Sequence, residues 1–232
     1  MKKTSLFVTF LISIFYLNAQ TAKIDSNYKR PYYEQRVSLF KVLPKVKNAI
    51  VFIGNSITDG GEWQELLGCK KCLNRGISGD ISFGVLARLD DALKDKPKKI
   101  ILLIGINDIS RGTPNDVIIA NYKSFVSRTK ALSPKTKIYL QSVLPTNNTF
   151  RKFVDKNEES IQILNAAMLD LSKNTDGTSR RSREGVTYID LYSKFLDSEG
   201  RLDKKYTNDG LHLLGEGYVL WVEILKKGGY LK

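Results

Sequence analysis

The sequence predicts a single three-layer α/β domain built on a roughly five-stranded parallel sheet. Short apolar runs rich in β-branched residues recur along the chain, and segments with helical spacing lie between them. The runs are continuously apolar, as in strands that are buried on both faces. Strands that alternate with helices are typical of βαβ units, and right-handed crossovers make a flavodoxin-like strand order the default expectation. The predicted strands are 49–53, 72–77, 99–104, 137–144 and 186–191.

Four segments between and after these runs place apolar residues on one helical face. Pro114 and Pro134 bracket the second segment at plausible start and stop positions. Residues 21–47 are expected to form an amino-terminal arm and a first helix. Residues 174–185 carry three arginines and form either a solvated connection or an anion-binding loop. The four faces are Val85, Leu86, Leu89 and Leu93; Ile118, Tyr122, Phe125 and Val126; Ile161, Leu164, Met168 and Leu171; and Tyr218, Trp221, Val222 and Leu225.

The amino terminus has the pattern of a secretory signal peptide. Lys2 and Lys3 precede an apolar stretch over 6–17, which ends in small and polar residues around Ala19. The stretch is too short to span a bilayer, and the alternative is an uncleaved membrane anchor. We therefore expect residues 1–19 to be a signal peptide, residues 20–232 to be one domain, and the protein to be exported to the periplasm or secreted.

The chain is strongly basic, with a formal net charge of +13 at pH 7. Removal of residues 1–19 takes away Lys2 and Lys3 and no acid, which leaves +11. Such an excess favours association with anionic surroundings, such as acidic glycans or membrane surfaces. The basic residues are spread along the chain without a nucleic-acid-binding motif, which disfavours a nucleic acid as the partner. Oligomeric state stays open at this level.

The two cysteines form a C-x-x-C pair, Cys69 and Cys72. An oxidising compartment favours a local disulfide, with free thiols and a redox centre as the alternatives. The surrounding sequence has no thioredoxin-like pattern. Two cysteines and a single histidine supply too few donors for an ordinary four-ligand zinc site. We therefore expect no metal.

Residues suited to nucleophilic catalysis follow the first three predicted strands. Ser56 follows the first, Gly79 the second and Asn107 the third. Carboxyl ends of parallel strands meet at one edge of a sheet, where ligands bind. A serine hydroxyl is a nucleophile only beside a base, glycine lets a backbone N–H approach a ligand, and a side-chain amide can donate to a developing oxyanion. Alone, each is also consistent with a helix cap or an ordinary turn.

His212 is the only histidine of the chain, and Asp209 precedes it by three residues. This spacing puts both side chains on one side of a helical turn or tight loop. The aspartate can then hold the imidazole in the tautomer that a general base needs. The chain lacks the Gly-x-Ser-x-Gly elbow of the α/β-hydrolases, so that larger fold is the wrong template.

Four ordered segments resemble the four conserved blocks of the SGNH hydrolases, also called the GDSL family. The likeness extends from about residue 50 to residue 225 and is greatest for members similar to the platelet-activating factor acetylhydrolase catalytic subunits. One departure is Asn55, where the family usually has an aspartate. The segments are Gly54-Asn55-Ser56, Asn74-x-Gly76-x-x-Gly79, Gly105-x-Asn107-Asp108 and Asp209-x-x-His212.

The resemblance implies a role for each of these polar residues. Ser56 is the nucleophile, His212 its base and Asp209 the residue that orients the base. The backbone N–H groups of Ser56 and Gly79 and the side chain of Asn107 form the oxyanion hole. Asn55 is not a catalytic position, but it removes a negative charge beside the nucleophile.

The resemblance also implies hydrolysis of short-chain acyl esters, acetyl esters foremost, through an acyl-serine intermediate and without a metal or organic cofactor. Small-molecule or glycan esters, including O-acetylated carbohydrates, are the expected substrates. One alternative is a non-catalytic envelope protein that binds glycan or lipid, and another is a thiol-disulfide protein that uses Cys69 and Cys72. Trp63 either lines the pocket or is a buried helix aromatic.

Overall fold

The computed structural model describes residues 24–150, 157–173 and 185–232. Within them, five parallel strands form one sheet in the order β2-β1-β3-β4-β5, which is the predicted flavodoxin-like order. Helices flank the sheet, so the predicted α/β fold class is confirmed. The strands are β1 (Ile50–Gly54), β2 (Cys72–Gly76), β3 (Lys99–Leu103), β4 (Lys137–Gln141) and β5 (Val186–Ile189).

The last two strands are shorter than their apolar runs. Beyond β4 and β5, the Oγ of Ser142 accepts hydrogen bonds from the backbone N–H groups of Leu191, at 2.8 Å, and Tyr192, at 2.7 Å. A side chain thus replaces the strand ladder while Val143 and Leu144 stay buried. The apolar run therefore extends past the end of β4 because these two residues are buried, although they are not part of the strand.

Nine helices lie in the described part of the chain, together with two short 3₁₀ turns at Tyr192–Lys194 and Lys204–Tyr206. The helix α7 begins directly after Pro114, as predicted. The helices are α1 (Pro31–Val42), α2 (Ser56–Asp59), α3 (Trp63–Leu67), α4 (Ser82–Ala87), α5 (Leu89–Leu93), α6 (Ile106–Ser110), α7 (Asn115–Leu132), α8 (Asn157–Lys173) and α9 (Gly215–Lys227).

Three of the four predicted helical faces occur as single helices, α7, α8 and α9. The prediction of one helix through Val85 and Leu93 was wrong, because the chain breaks at Arg88 into α4 and α5. The Arg88 side chain is buried and reaches the ends of the strands β1 and β2. The apolar spacing continues across the break because both short helices turn their apolar residues toward the core.

The aromatic core between α3 and α9 settles the position of Trp63. Its ring is buried and stacks on Phe52 with centroids 4.1 Å apart, while Trp221 meets it edge-on at 4.7 Å. Trp63 is therefore a buried helix aromatic.

Cys69 and Cys72 form the expected disulfide. It joins the residues that follow α3 to the first residue of β2, at the amino end of that strand.

Some sequence predictions lie outside the described residues. These are the signal peptide at 1–19 and, apart from Gly185, the basic loop at 174–185. Among the helices that the structure does describe, none has the length and apolar character needed to cross a membrane.

Candidate active site

Ser56 opens the short helix α2 directly after β1, and Asn55 caps that helix. The Oδ1 atom of Asn55 accepts the backbone N–H of Ile57 at 3.0 Å. One acceptor oxygen is enough for this cap, so an amide can make it as well as the carboxylate that the family usually has here. The Asn55 Nδ2 atom is buried and has no hydrogen-bond partner among the described residues. An unsatisfied buried donor of this kind lowers stability.

Tertiary hydrogen bonds hold α2 in place. A helix of four residues is too short to be stable by itself. Its carbonyls are instead bound by side chains from three other parts of the chain, which restrains the serine at its first position. The donors are Tyr218 Oη to Ile57 at 2.9 Å, Trp63 Nε1 to Thr58 at 2.9 Å and Asn74 Nδ2 to Asp59 at 2.8 Å.

Ser56, His212 and Asp209 form a continuous hydrogen-bonded chain. The Ser56 Oγ lies 3.0 Å from the His212 Nε2, and the His212 Nδ1 lies 2.6 Å from the Asp209 Oδ2. The side chains of His212 and Asp209 keep 43% and 33% of their surface exposed, so a substrate can reach them. This geometry allows the imidazole to take the hydroxyl proton while the carboxylate steadies the resulting cation.

The Asp209 carboxylate is held in its ionised form. Partial burial opposes ionisation, but hydrogen bonds from the His212 ring and from the backbone N–H groups of His212 and Leu211 lower the pKa of Asp209 to about 2. Those two N–H groups donate to Oδ1 at 2.7 and 2.9 Å. One carboxylate oxygen therefore braces the turn, and the other orients the imidazole.

The turn that carries this pair is fixed at Gly210. Its φ is +79°, and a Cβ atom there would lie 2.2 Å from the Asn147 carbonyl oxygen, so only glycine fits. Its N–H donates to the Thr207 Oγ1 at 2.9 Å, and its carbonyl accepts the Asn147 N–H at 2.9 Å. The loop after β4 therefore sets the position of His212.

The predicted oxyanion donors follow β1, β2 and β3, which are neighbours in the sheet with β1 between the other two. Within the described residues, the backbone N–H groups of Ser56 and Gly79 donate to no protein acceptor. The Asn107 Nδ2 donates one hydrogen to the Asp80 carbonyl, at 2.9 Å, and its other hydrogen has no acceptor among the described residues. The fold thus brings all five predicted site residues to one edge of the sheet.

A buried ion pair that the sequence analysis missed supports this edge. The Arg88 Nη2 lies 2.8 Å from the Asp80 Oδ2 and also donates to the Gly54 carbonyl at 3.1 Å, while Nη1 donates to the Arg75 carbonyl at 2.7 Å. Burial raises the pKa of Asp80, and Arg88 opposes that shift. A charged residue between the apolar Leu86 and Leu89 was the signal that could have revealed this pair.

A second buried carboxylate supports the helix that carries Asn107. Asp108 accepts the Ser82 backbone N–H at 3.0 Å and the Ser82 hydroxyl at 2.6 Å, and that hydroxyl also accepts the Asn121 amide at 2.8 Å. Burial raises the pKa of Asp108 to about 6, although the hydrogen bonds from Ser82 oppose the shift. These contacts join α6 to α4 and α7 behind the site.

A parallel α/β sheet with a serine, a histidine and an aspartate joined at its carboxyl edge is the arrangement of a serine hydrolase, the class to which carboxylic-ester hydrolases belong. The chain belongs to the GDSL-like Lipase/Acylhydrolase family, whose sequence model matches residues 52–220.

Individual relatives agree with this assignment. Platelet-activating factor acetylhydrolase IB subunit alpha2 of Rattus norvegicus is 27% identical over 175 residues, which cover 73% of this chain and 70% of that protein. A solved structure of a candidate platelet activating factor from Streptococcus pneumonia is 31% identical, with a TM-score of 0.76, and covers 87% and 93% of the two chains. A GDSL-like lipase from Bacteroides thetaiotaomicron is 27% identical, with a TM-score of 0.70 and coverage of 84% and 96%.

Proposed function

We propose that the protein hydrolyses short-chain acyl esters, acetyl esters foremost, through an acyl-serine intermediate. The Ser56 Oγ attacks the acyl carbon while the His212 Nε2 takes its proton. The carbonyl oxygen becomes an oxyanion that accepts hydrogen bonds from the N–H groups of Ser56 and Gly79 and from the Asn107 amide. His212 then gives the proton to the departing alcohol. A water molecule repeats the sequence on the acyl-serine and releases the carboxylic acid.

One observation carries this proposal, namely the continuous chain from the Ser56 Oγ through the His212 ring to the Asp209 carboxylate. Asp209 has a pKa of about 2, so it stays an anion at neutral pH. The Asp209 carboxylate accepts a hydrogen bond from Nδ1–H, which keeps the proton on Nδ1 and leaves Nε2 free to accept the serine proton.

We propose that the preferred acyl group is acetyl. We further propose that the enzyme is exported and that its natural substrates are O-acetylated carbohydrates. The acetyl preference is supported by curated relatives that are named acetylhydrolases. The signal-peptide pattern of residues 1–19 supports export, where such glycans occur. A net charge of +13 supports association with anionic surroundings.

A series of simple esters from acetyl to octanoyl tests both the reaction and the acyl preference. We expect the highest kcat/KM for the acetyl ester and stoichiometric labelling of Ser56 by a fluorophosphonate. Ser56→Ala should lose both the hydrolysis and the labelling. His212→Ala should also abolish ester hydrolysis, since the chain has no other histidine. Ser172→Ala serves as the matched control, because among the described residues the Ser172 hydroxyl binds only the Leu169 carbonyl within α8.

Each part of the proposal has its own contradicting result. Wild-type turnover in a folded Ser56→Ala or His212→Ala protein would exclude the proposed roles. An activity that rises with acyl length would contradict the acetyl preference alone. A wild-type protein that is not labelled and binds acetylated glycans without hydrolysing them would instead be a non-catalytic binding protein.

A further inference from the structure

An amino-terminal arm, residues 24–30, lies against the loop that carries Gly79. The Arg111 guanidinium joins the two, since Nη1 donates to the Asn27 carbonyl at 2.9 Å and Nη2 to the Gly79 carbonyl at 3.2 Å. Tyr28 packs against Tyr33 with ring centroids 5.1 Å apart. The arm is therefore docked on the active-site side of the sheet.

This docking places the last arm residue, Arg30, over Gly79. A Cβ atom built on Gly79 would lie 3.4 Å from the Arg30 Nη1, so the guanidinium occupies the side on which Gly79 has no side chain. Arg30 is exposed to solvent. Gly79 is one of the proposed oxyanion donors, so a cation stands beside the position where the ester carbonyl would bind.

The guanidinium of Arg30 makes no hydrogen bond or ion pair with any described residue. The acid on the far side of this loop, Asp59, is already engaged: its carboxylate accepts Tyr32 Oη at 2.8 Å and Ser78 Oγ at 2.8 Å, and it lies 3.8 Å from Arg36. The donors of Arg30 are thus available to a ligand. A planar guanidinium fits a carboxylate or a phosphate with two parallel hydrogen bonds.

We propose that Arg30 binds an anionic group, a carboxylate or a phosphate, carried by the ester substrate close to the scissile bond. The inference rests on the proposed function, and it deepens it by naming the substrate class. Arg30 lies outside residues 52–220 that match the family. The proposed preference therefore involves a residue outside the segment that the family model matches.

Two matched ester pairs test the proposal and distinguish the two anions. The carboxylate pair is 3-acetoxybenzoate and its methyl ester, and the phosphate pair is 1-acetylglycerol 3-phosphate and 1-acetylglycerol. We expect Arg30→Gln to lower kcat/KM for an anionic member about fivefold and to leave the neutral members unchanged, since an exposed ion pair contributes up to about 1 kcal/mol. Arg30→Lys should retain part of the effect. The control is Lys29→Gln, another exposed cation of the same arm.

A second measurement does not depend on turnover. We expect 3-acetoxybenzoate or 1-acetylglycerol 3-phosphate to bind the Ser56→Ala protein about fivefold more weakly when Arg30→Gln is added, as measured by titration calorimetry. An effect with either anion supports the proposal and identifies the anion.

Three results would overturn it: no change with either anion, an equal loss for neutral and anionic esters, or the same loss in Lys29→Gln. Failure of the wild-type protein to hydrolyse any of the four esters would instead contradict the proposed function, while the calorimetric comparison would still decide the role of Arg30.

Discussion

The Ser56 hydroxyl and the His212 ring lie 3.0 Å apart, although 156 positions separate them in the chain. Two elements at the carboxyl edge of the sheet produce this contact. One is the helix α2 after β1, and the other is the turn before α9, which Asn147 positions through Gly210. Tyr218 of α9 reaches back to the Ile57 carbonyl of α2 and links the two. The contact is thus supported from both sides.

Replacing the orienting carboxylate should leave the fold intact and remove most of the turnover. In Asp209→Asn, an amide faces the His212 Nδ1 and favours the tautomer that cannot accept the serine proton. We expect kcat to fall about 10⁴-fold, as judged from steady-state kinetics on an acetyl ester. Asp203→Asn is the control, since Asp203 caps a 3₁₀ turn through the Lys205 N–H. A native-like circular dichroism spectrum together with wild-type kcat would contradict the role of Asp209.

Removing the Asn107 amide tests the oxyanion hole. We expect Asn107→Ala to lower kcat roughly 10²–10³-fold with little change in KM, because a hole donor acts in the transition state. Asn115→Ala removes an amide that, among the described residues, binds only the Ser160 carbonyl, and it should not alter kinetics. A rise in KM at constant kcat would assign Asn107 to ground-state binding.

The buried pair of Asp80 and Arg88 should be a large contributor to stability. Arg88→Met leaves the Asp80 carboxylate buried without its partner, and we expect a loss of about 3–5 kcal/mol in urea unfolding. Adding Asp80→Asn removes the stranded charge and should recover part of that loss. The exposed pair of Arg128 and Asp90 is the control, and Arg128→Met should cost less than about 1 kcal/mol. Equal losses in the two arginine variants would contradict the buried role.

Tyr218 should act on catalysis by positioning α2. Tyr218→Phe removes the hydrogen bond to the Ile57 carbonyl and should cost about 1 kcal/mol of stability. Because α2 carries Ser56, the proposed nucleophile, we also expect a lower kcat at an unchanged KM. Tyr139→Phe in β4 is the control. A variant that loses stability but keeps wild-type kcat at a temperature where it is folded would show a purely structural role.

Asp108 should make stability depend on pH in a specific direction. Its pKa in the folded protein is about 6, above the ordinary value of 3.8, so between these two values the folded state binds more protons than the unfolded state. The free energy of unfolding contributed by Asp108 therefore falls as pH rises from about 4 to about 6 and is constant above that range. The fall amounts to at most about 3 kcal/mol.

Asp108→Asn removes this titration, so its stability relative to the wild type should improve as pH rises through that window. Urea unfolding of both proteins at pH 4, 5, 6 and 7 measures the difference. A difference that is flat, or that moves in the opposite direction, would contradict the raised pKa.

Much of the site could be predicted because it follows strand ends. Ser56, Gly79 and Asn107 each come directly after an apolar run, and parallel strands bring such positions to one edge whatever the contents of the helices between them. The three-residue spacing of Asp209 and His212 likewise specifies a local turn. Side chains that connect distant segments were harder to recognise in the sequence. Arg88 is a charged residue among helically spaced apolar residues, and its partners Asp80 and Gly54 become its neighbours only through the crossover between β2 and β3.

The sequence by itself determined the parallel α/β architecture and the identity of the residues at the carboxyl edge, since periodicity and strand-end position are local properties. It gave the flavodoxin-like strand order only as the default expectation. Only the tertiary structure decided the break between α4 and α5, the support of α2 by Trp63 and Tyr218, and the placement of Arg30 over Gly79. Each of these depends on hydrogen bonds or packing between segments far apart in the chain, and the geometry of such contacts is set by the packed fold.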